Sequence, residues 1–194
     1  YSAPRTYAFG DFPGLVGPVV LKPQRGGARS KDTYYAETAA EVQRYGALVD
    51  HDNCVVQECI VGEEYTCGSV TLDGRCHGVI TMRRSLRAGD TYKAFVESHP
   101  VVAALVRNLA ERLGVFGALN VQLKLSDGVP YVFELNARCS GTTAARARSG
   151  FNEPVAIADF ILRGCVPQLT VQRTAILRYW NELVVSEADI AALS

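Results

Sequence analysis

The sequence lacks an excess of charge of either sign and any long apolar run. Its 194 residues include 20 Lys or Arg and 20 Asp or Glu, so the formal net charge is +0. A neutral chain lacks the overall basic footprint of a nucleic-acid-binding protein, although Arg83-Arg84 and Arg146/Arg148 are local candidate anion sites. No apolar stretch approaches the roughly 18–20 residues of a membrane helix, and no secretion signal is visible. We therefore expect no nucleic acid, no membrane and a cytoplasmic location.

Paired cysteines are also lacking. The six cysteines show no C-x-x-C spacing and are scattered through apolar patterns. For a chain of this size, that usage predicts reduced, mostly buried thiols and not a disulfide framework. Cys139 alone adjoins a motif that carries chemistry, and packing is the simpler interpretation of it.

The stretch from Gly117 to Arg138 has the clearest functional pattern. Polar and apolar residues alternate over 120–125 and again over 131–136, as they do in half-buried strands. Ser126-Asp127-Gly128 between them is a turn signal. Side chains two apart on a strand share a face, so Glu134 and Asn136 point the same way.

The loop length decides whether Gln122 joins these two side chains. A two-residue turn at Asp127-Gly128 would pair Gln122 with Phe133 and turn Glu134 to the other face. A loop with an odd number of residues would pair Gln122 with Glu134 instead. We predict the odd loop, which gathers Gln122, Glu134 and Asn136 into a cluster of the hard oxygen donors that Mg²⁺ prefers.

A second candidate site lies near the start of the chain. An apolar strand over 18–23 carries Lys22 near its end, and a basic loop, Gln24 to Ser30, follows. Gly26 and Gly27 in that loop would let backbone N–H groups approach an anion closely, and Arg25 adds charge. The loop alone is compatible with either a phosphate cradle or a solvated basic turn.

Elsewhere, turn and capping signals delimit the elements. Thr38 and Glu41 form a capping-box pattern, and Asp73-Gly74 predicts a hairpin. The stretch 85–99 is predicted to be a polar loop, long enough to be a mobile substrate loop. Strands and helices do not alternate strictly, which indicates an α+β fold. The other predicted elements are strands at 33–36, 54–61, 67–72, 75–84 and 175–185 and helices at 42–49, 100–113, 154–162 and 186–193.

Three motifs, PVVLKPxxGG, VVQExIxGEEYT and NVQLKxxxGxPYVFELNAR, resemble those of the ATP-grasp superfamily in their order and spacing. The nearest likeness is to the carbamoyl phosphate synthetase large subunit and its small ligase relatives. The resemblance covers roughly Thr6 to Pro167, and E-x-N-x-R after N-V-Q is its most specific part. It implies an α+β ATP-grasp fold whose two lobes clasp the nucleotide. The implied divisions are a lead-in segment at 1–17, a small lobe with a phosphate flap at 18–61 and a large lobe with the metal site at 62–194.

The resemblance also implies roles for single residues. The nucleotide contacts would be Lys22 on the phosphates, Arg25, Gly26 and Gly27 in the flap, Glu58, Cys59 and Ile60 at the adenine, and Glu64 on the ribose. The metal ligands would be Gln122, Glu134 and Asn136. Arg138 would lie near the transferred phosphate or the acyl substrate, so Lys22 and Arg138 are the candidate catalytic residues. Arg83, Arg84 and Lys93 are our candidates for contacts with an acid substrate.

Glu134 differs from the other candidates because it interrupts an apolar strand. A charge in that setting needs a partner or a metal. A metal is the interpretation that the resemblance favours, and an ion pair with Arg138 is the structural alternative.

The implied activity is ATP-dependent ligation with Mg²⁺, or alternatively Mn²⁺, as the metal. ATP would phosphorylate a small-molecule carboxylate, and an amine or thiol would attack the acyl phosphate. A nucleotide-binding module without catalysis is the main alternative, and a kinase-like phosphotransferase is a less favoured one. Relatives carry a further N-terminal subdomain in the same polypeptide, and we expect that subdomain to be missing here.

Overall fold

The computed structural model describes residues 1–26, 30–166, 168–179 and 184. These residues form two antiparallel sheets and four α-helices, which confirms the predicted α+β fold. Gly27 and the predicted helix at 186–193 lie outside the described residues. The elements are β1 (Thr6–Ala8), β2 (Val19–Pro23), β3 (Tyr34–Ala36), α1 (Ala39–Gly46), β4 (Cys54–Glu58), β5 (Glu63–Leu72), β6 (Arg75–Arg87), β7 (Asp90–Val96), α2 (Pro100–Arg112), β8 (Gly117–Ser126), β9 (Val129–Asn136), α3 (Thr143–Arg148), α4 (Glu153–Arg163) and β10 (Ala175–Leu177).

The first sheet has the strand order β1-β4-β2-β3. Leu21 and Val56 are fully buried on its inner face, so Lys22, the next residue along β2, points to the opposite side. Helix α1 begins with the predicted capping box between Thr38 and Glu41. Strand β1 lies within the predicted lead-in segment, so this sheet also uses residues before residue 18.

The second sheet has the strand order β10-β7-β6-β5-β8-β9 and is covered on both faces. On one face, which we call the α2 face, Val102 and Val106 of α2 form a buried cluster with Tyr65 of β5 and Val121 of β8. On the other, the α4 face, Ala156 packs in a cluster with buried side chains of β5, β6 and β7. Alternation along β8 places its residue 122 on the α4 face, because residue 121 lies on the α2 face.

The predicted polar loop over 85–99 is wrong, because the chain forms a hairpin there. Strand β6 continues to Arg87, and β7 starts at Asp90. Ala88 and Gly89 make the turn with φ angles of 49° and 78°. Glycine adopts this left-handed conformation readily and alanine does so rarely, so the turn was not recognisable from the usual residue signals.

The predicted helices at 100–113 and 154–162 are confirmed as α2 and α4. His99 caps α2, with Nδ1 accepting a hydrogen bond from Val102 N at 3.4 Å, and Gly164 ends α4 with a φ of 65°. None of the helices in the described part of the chain is both long and apolar enough to cross a membrane.

The β8–β9 hairpin corrects one prediction and confirms another. Its turn contains two residues, Asp127 and Gly128, with φ angles of 49° and 76°, so the predicted odd loop is wrong. A β-bulge at Phe133 adds one residue to β9, and Gln122 therefore pairs with Glu134 as predicted. The two-residue turn does not separate these side chains, because the bulge restores their common face.

The turn provides a test of this hairpin. We expect Gly128→Ala to lower the free energy of unfolding by about 1 kcal/mol, because an alanine is strained at this positive φ. Gly10→Ala is the control, since Gly10 has no positive φ and a Cβ there would meet nothing within 4 Å. Urea unfolding followed by circular dichroism measures both variants, and equal losses would contradict the assigned turn.

Candidate active site

Two rows of side chains cross the α4 face from β5 through β8 to β9. Residues directly opposite each other in neighbouring strands lie about 4.5–5.5 Å apart, so the members of each row are direct neighbours. The first row is Gly68, Asn120 and Asn136, and the second row is Thr66, Gln122 and Glu134.

The three predicted metal ligands contact one another. Glu134 Oε1 accepts hydrogen bonds from Gln122 Nε2 at 2.9 Å and from Asn136 Nδ2 at 2.7 Å. Arg138 Nη2 donates to Asn136 Oδ1 at 3.3 Å. Among the described residues, no group of three or more His, Cys, Asp or Glu side chains could hold a metal ion. A metal at this cluster would therefore depend on one carboxylate and on amide oxygens.

Lys22 joins this cluster from the first sheet. Its Nζ donates to the carbonyl oxygen of Phe133, the bulged residue, at 3.0 Å and lies 5.5 Å from the centroid of the Phe133 ring. Burial lowers the pKa of Lys22, and the nearby Glu134 carboxylate opposes that effect without cancelling it. The predicted phosphate cation and the predicted metal ligands therefore lie together where the two sheets meet.

Glu64 is the centre of a second, adjoining cluster. Its carboxylate pairs with Arg84 Nη2 at 2.7 Å and with Lys124 Nζ at 2.9 Å. Arg84 Nη2 also donates to Gln122 Oε1 at 2.5 Å. The side chains of Glu64 and Arg84 are 14% and 11% exposed, so solvent screens this pair less than a surface pair. A continuous polar chain thus runs from Lys124 to Glu134.

Two residues of this run of polar contacts, Lys124 and Arg84, were not assigned to it from the sequence. Lys124 was missed, although the period-two alternation of β8 places it on the same face as Gln122. Arg84 was predicted to contact an acid substrate, and here it bridges Glu64 and Gln122.

The other predicted substrate contacts lie on the opposite face of the sheet. Arg83 Nε donates to Glu97 Oε1 at 3.3 Å, and this hydrogen bond raises the pKa of Arg83. Arg83 and Lys93 both approach the ring of Phe95, at 5.1 and 5.9 Å from its centroid. Since neighbouring strand residues point to opposite faces, the structure does not bring Arg83 and Lys93 together with Arg84.

The predicted adenine-binding segment lies at the end of β4, where the chain crosses towards the second sheet. Arg5 N and Nε both donate to Glu58 Oε2 at 3.2 Å. These hydrogen bonds lower the pKa of Glu58. Cys59 N donates to Pro18 O at 2.9 Å, and Ile60 follows outside the regular strand.

Part of the predicted phosphate flap is also described. Arg25 N donates to Asn53 Oδ1 at 3.0 Å, and Asn53 Nδ2 donates to Arg25 O at 3.1 Å. These bonds anchor the backbone of Arg25, while the residue as a whole is exposed. Gly26 has a φ of 81° and open space around its Cα. Its neighbour Gly27 is outside the described residues.

Solved structures share this fold. N5-carboxyaminoimidazole ribonucleotide synthetase from Thermus thermophilus is 12% identical, with a TM-score of 0.72 over 91% of this chain and 52% of that one. L-amino acid ligase from Bacillus licheniformis is 18% identical, with a TM-score of 0.61 over 84% and 44% of the two chains. D-alanine–D-alanine ligase from Bacillus anthracis, complexed with ATP, is 20% identical, with a TM-score of 0.57 over 80% and 58%. The chain thus spans about half the length of these structures.

A family comparison is more specific than the shared fold. The sequence model described as "ATP-grasp in the biosynthetic pathway with Ter operon" matches residues 50–182, which is more than half of the chain. The chain belongs to this ATP-grasp family, and the predicted superfamily membership is confirmed. The nearer likeness to carbamoyl phosphate synthetase stays a prediction, and no curated protein matches the sequence.

Arg83 and Arg84 form a matched pair for testing the polar chain. We expect Arg84→Met to lower the free energy of unfolding by about 2 kcal/mol, because it removes half-buried hydrogen bonds to charged and polar partners. Arg83→Met should lower it by less than about 1 kcal/mol, because its ion pairs are solvent-screened. Urea unfolding at low and high salt measures both, and an equal loss from the two variants would contradict this difference.

Proposed function

We propose that the chain is the catalytic core of an ATP-dependent ligase that joins a carboxylate to an amine, or to a thiol, through an acyl phosphate. The observation that carries this proposal is the meeting of Lys22, from the first sheet, with the Gln122–Glu134–Asn136 cluster of the second sheet. Family membership and the fold shared with ligases support it.

The charges of the site suit a polyanionic ligand. Cations placed around the place where the two sheets meet attract phosphate oxygens and stabilise the charge that moves during phosphoryl transfer. Four cationic side chains lie in the connected polar clusters against two carboxylates: Lys22, Arg84, Lys124 and Arg138 against Glu64 and Glu134.

The three predicted ligands differ in how readily each could bind Mg²⁺, or Mn²⁺ in its place. Glu134 supplies a carboxylate, and Asn136 supplies an amide oxygen whose partner is the exposed Arg138 at 3.3 Å. Gln122 Oε1 already accepts a hydrogen bond from Arg84 Nη2 at 2.5 Å, so a metal there would have to displace the guanidinium or share the oxygen with it. When bound, such a metal would neutralise negative charge on the phosphates.

The proposed reaction needs position and charge from the protein more than acid–base chemistry. A carboxylate oxygen of the substrate attacks the γ-phosphorus of ATP, and ADP leaves. The amine or thiol then attacks the acyl carbon, and inorganic phosphate leaves. In this proposal Lys22 donates to a phosphate oxygen, and Arg138 moves from Asn136 to bind the transferred group or the acyl substrate.

Contacts with the rest of the nucleotide are assigned to the end of β4 and to β5. Because Cys59 N–H already donates to Pro18, Cys59 would meet adenine through its carbonyl oxygen. Glu58 and Ile60 would flank this contact. Glu64 would accept from the ribose hydroxyls, since a carboxylate has about four lone-pair sites and can keep Arg84 and Lys124 as partners. The described part of the flap, Arg25 and Gly26, would approach the phosphates.

A nucleotide-binding module without catalysis is the second candidate. The closed set of hydrogen bonds among Gln122, Glu134 and Asn136 favours it, because these groups satisfy one another without a ligand. The two candidates differ in whether substrates stimulate ADP release by the whole protein.

Glu134→Gln and Asn136→Ala test the proposed activity. We expect MgATP to raise the melting temperature of the wild type by several degrees, because the native state alone binds it. Both variants should lose substrate-stimulated ADP release, measured against pairs of carboxylates and amines, while nucleotide binding persists.

Glu63→Gln is the matched control, since Glu63 adjoins Glu64 but contacts Arg83 on the other face. It should retain ADP release. A wild type that MgATP does not stabilise would contradict both candidates. A wild type that binds MgATP without releasing ADP for any substrate pair would favour the binding module.

Lys22 gives a test through protonation. Burial lowers the pKa of Lys22 in the free protein, and the triphosphate oxygens of a bound nucleotide would raise it. At pH values between these two pKa values, the complex therefore binds more protons than the free protein. We therefore expect proton uptake on nucleotide binding at pH values between the pKa of Lys22 in the free protein and its higher pKa in the complex. Calorimetry in buffers of different ionisation enthalpy measures it.

Lys22→Arg is the control, because a guanidinium keeps its charge throughout this range. It should bind nucleotide with no uptake from this site. Equal uptake by the wild type and by Lys22→Arg would exclude Lys22 as the phosphate contact.

A further inference from the structure

A fully buried ion pair lies on the α4 face of the second sheet, beside the row that contains Asn136. Arg146 Nη1 and Glu153 Oε1 are 2.7 Å apart, and both side chains are 0% exposed. Arg146 belongs to α3 and Glu153 is the first residue of α4. Arg146, with Arg148, is a predicted anion site, but its partner in the structure is an internal carboxylate.

The arginine end of the pair holds Asn120. Arg146 Nη2 donates to Asn120 Oδ1 at 2.7 Å, and Thr66 Oγ1 donates to the same oxygen at 3.1 Å. Asn120 lies directly between Gly68 and Asn136 in its row. Arg146 and Thr66 therefore hold the carbonyl oxygen of Asn120, whose cross-strand neighbour is Asn136.

The glutamate end of the pair reaches the loop after Arg138. Glu153 Oε2 accepts from Thr143 Oγ1 at 3.2 Å. Thr143 Oγ1 also lies 2.8 Å from Ser140 O and accepts from Ser140 N at 3.1 Å. The buried pair is therefore connected to Asn120, the cross-strand neighbour of Asn136, and through Thr143 to Ser140, two residues beyond Arg138.

Gly68 makes room for this arrangement. A Cβ at this position would lie 2.5 Å from both Arg146 Nη1 and Glu153 Oε1, closer than real contacts allow. The guanidinium therefore occupies the space above β5 that any other residue would fill.

Stability alone does not account for the pair. Burying two charges is expensive, and apolar replacements of buried ion pairs are often neutral or stabilising. Arg146 Nε also has no hydrogen-bond partner among the described residues, although it is buried. Groups behind the ligands of a metal, by contrast, orient those ligands and affect metal affinity strongly.

We propose that Arg146 and Glu153 are positioning residues that hold Asn120 and the loop after Arg138 in place beside the metal ligands Glu134 and Asn136. This proposal rests on the proposed function, because it assigns the pair a role in the metal–nucleotide site. Neither residue contacts the substrate. Each acts through a hydrogen-bonded neighbour.

The test separates positioning from stability with the double variant Arg146→Met/Glu153→Met. In it, Asn120 Oδ1 keeps Thr66 and Thr143 Oγ1 keeps Ser140, so these groups retain a partner. We expect Arg146→Met alone to lower the melting temperature by roughly 10 °C, because it leaves a buried charge unpaired. The double variant should return to within about 3 °C of the wild type.

The decisive readout is Mn²⁺ affinity in the presence of ATP, measured on the whole protein from the electron paramagnetic resonance signal of free Mn²⁺. We expect the double variant to bind Mn²⁺ about 10–100-fold more weakly than the wild type despite its recovered melting temperature. If both properties recover, the pair is structural and this proposal is overturned, while the proposed function stands.

Arg146→Lys keeps the test valid if the double variant does not fold. A lysine still pairs with Glu153 but lacks the planar fork that also reaches Asn120. It should show the same loss of Mn²⁺ affinity, and wild-type affinity would overturn the proposal. A wild type that does not bind Mn²⁺ with ATP would overturn the proposed function first, and the positioning role with it.

Discussion

The extra residue in β9 determines which polar groups lie together on the α4 face. Side chains alternate along a strand, so a slip of one residue moves every later side chain to the other face. With a two-residue turn and no bulge, Glu134 would face α2. The bulge at Phe133 turns Glu134 towards Gln122, and the Phe133 carbonyl accepts the hydrogen bond from Lys22. One backbone irregularity thus builds the cluster and connects it to the first sheet.

This bulge also shows which features of the hairpin could be predicted from the sequence. The period-two pattern predicted the strands and the common face of Glu134 and Asn136. The pairing of Gln122 with Glu134 was predicted correctly, but from a loop length that is wrong. The result is the same because an odd loop and a bulge each add one residue and therefore shift the register by the same amount. Phe133 has none of the glycine signals that mark some bulges. The hairpin within 85–99 was missed for a related reason, since Ala88 occupies a turn position that usually selects glycine.

Other features depend on tertiary contacts that no local pattern specifies. Three motifs in order were sufficient to predict the ATP-grasp superfamily, which the family comparison confirms. Which of Arg83 and Arg84 lies on the α4 face depends on the register of β6 with its neighbours. Their adjacent positions in the sequence do not reveal that register, and both were predicted to be substrate contacts. The partnership of Arg146 and Glu153 was invisible for the same reason, because α3 and α4 bring together residues whose types alone suggest surface charge.

Arg84 has a consequence for how ligands of this site would influence one another. It donates to Glu64 and to Gln122, the residues assigned to the sugar and to the metal. A metal that takes Gln122 Oε1 leaves Arg84 dependent on Glu64, and a ribose that shares the Glu64 carboxylate weakens the contact on which Arg84 then depends. Two ligands that each weaken one contact of the same guanidinium are coupled unfavourably, and linkage makes that coupling equal in both directions. The shared arginine would therefore limit how tightly the metal and the ribose are held at the same time.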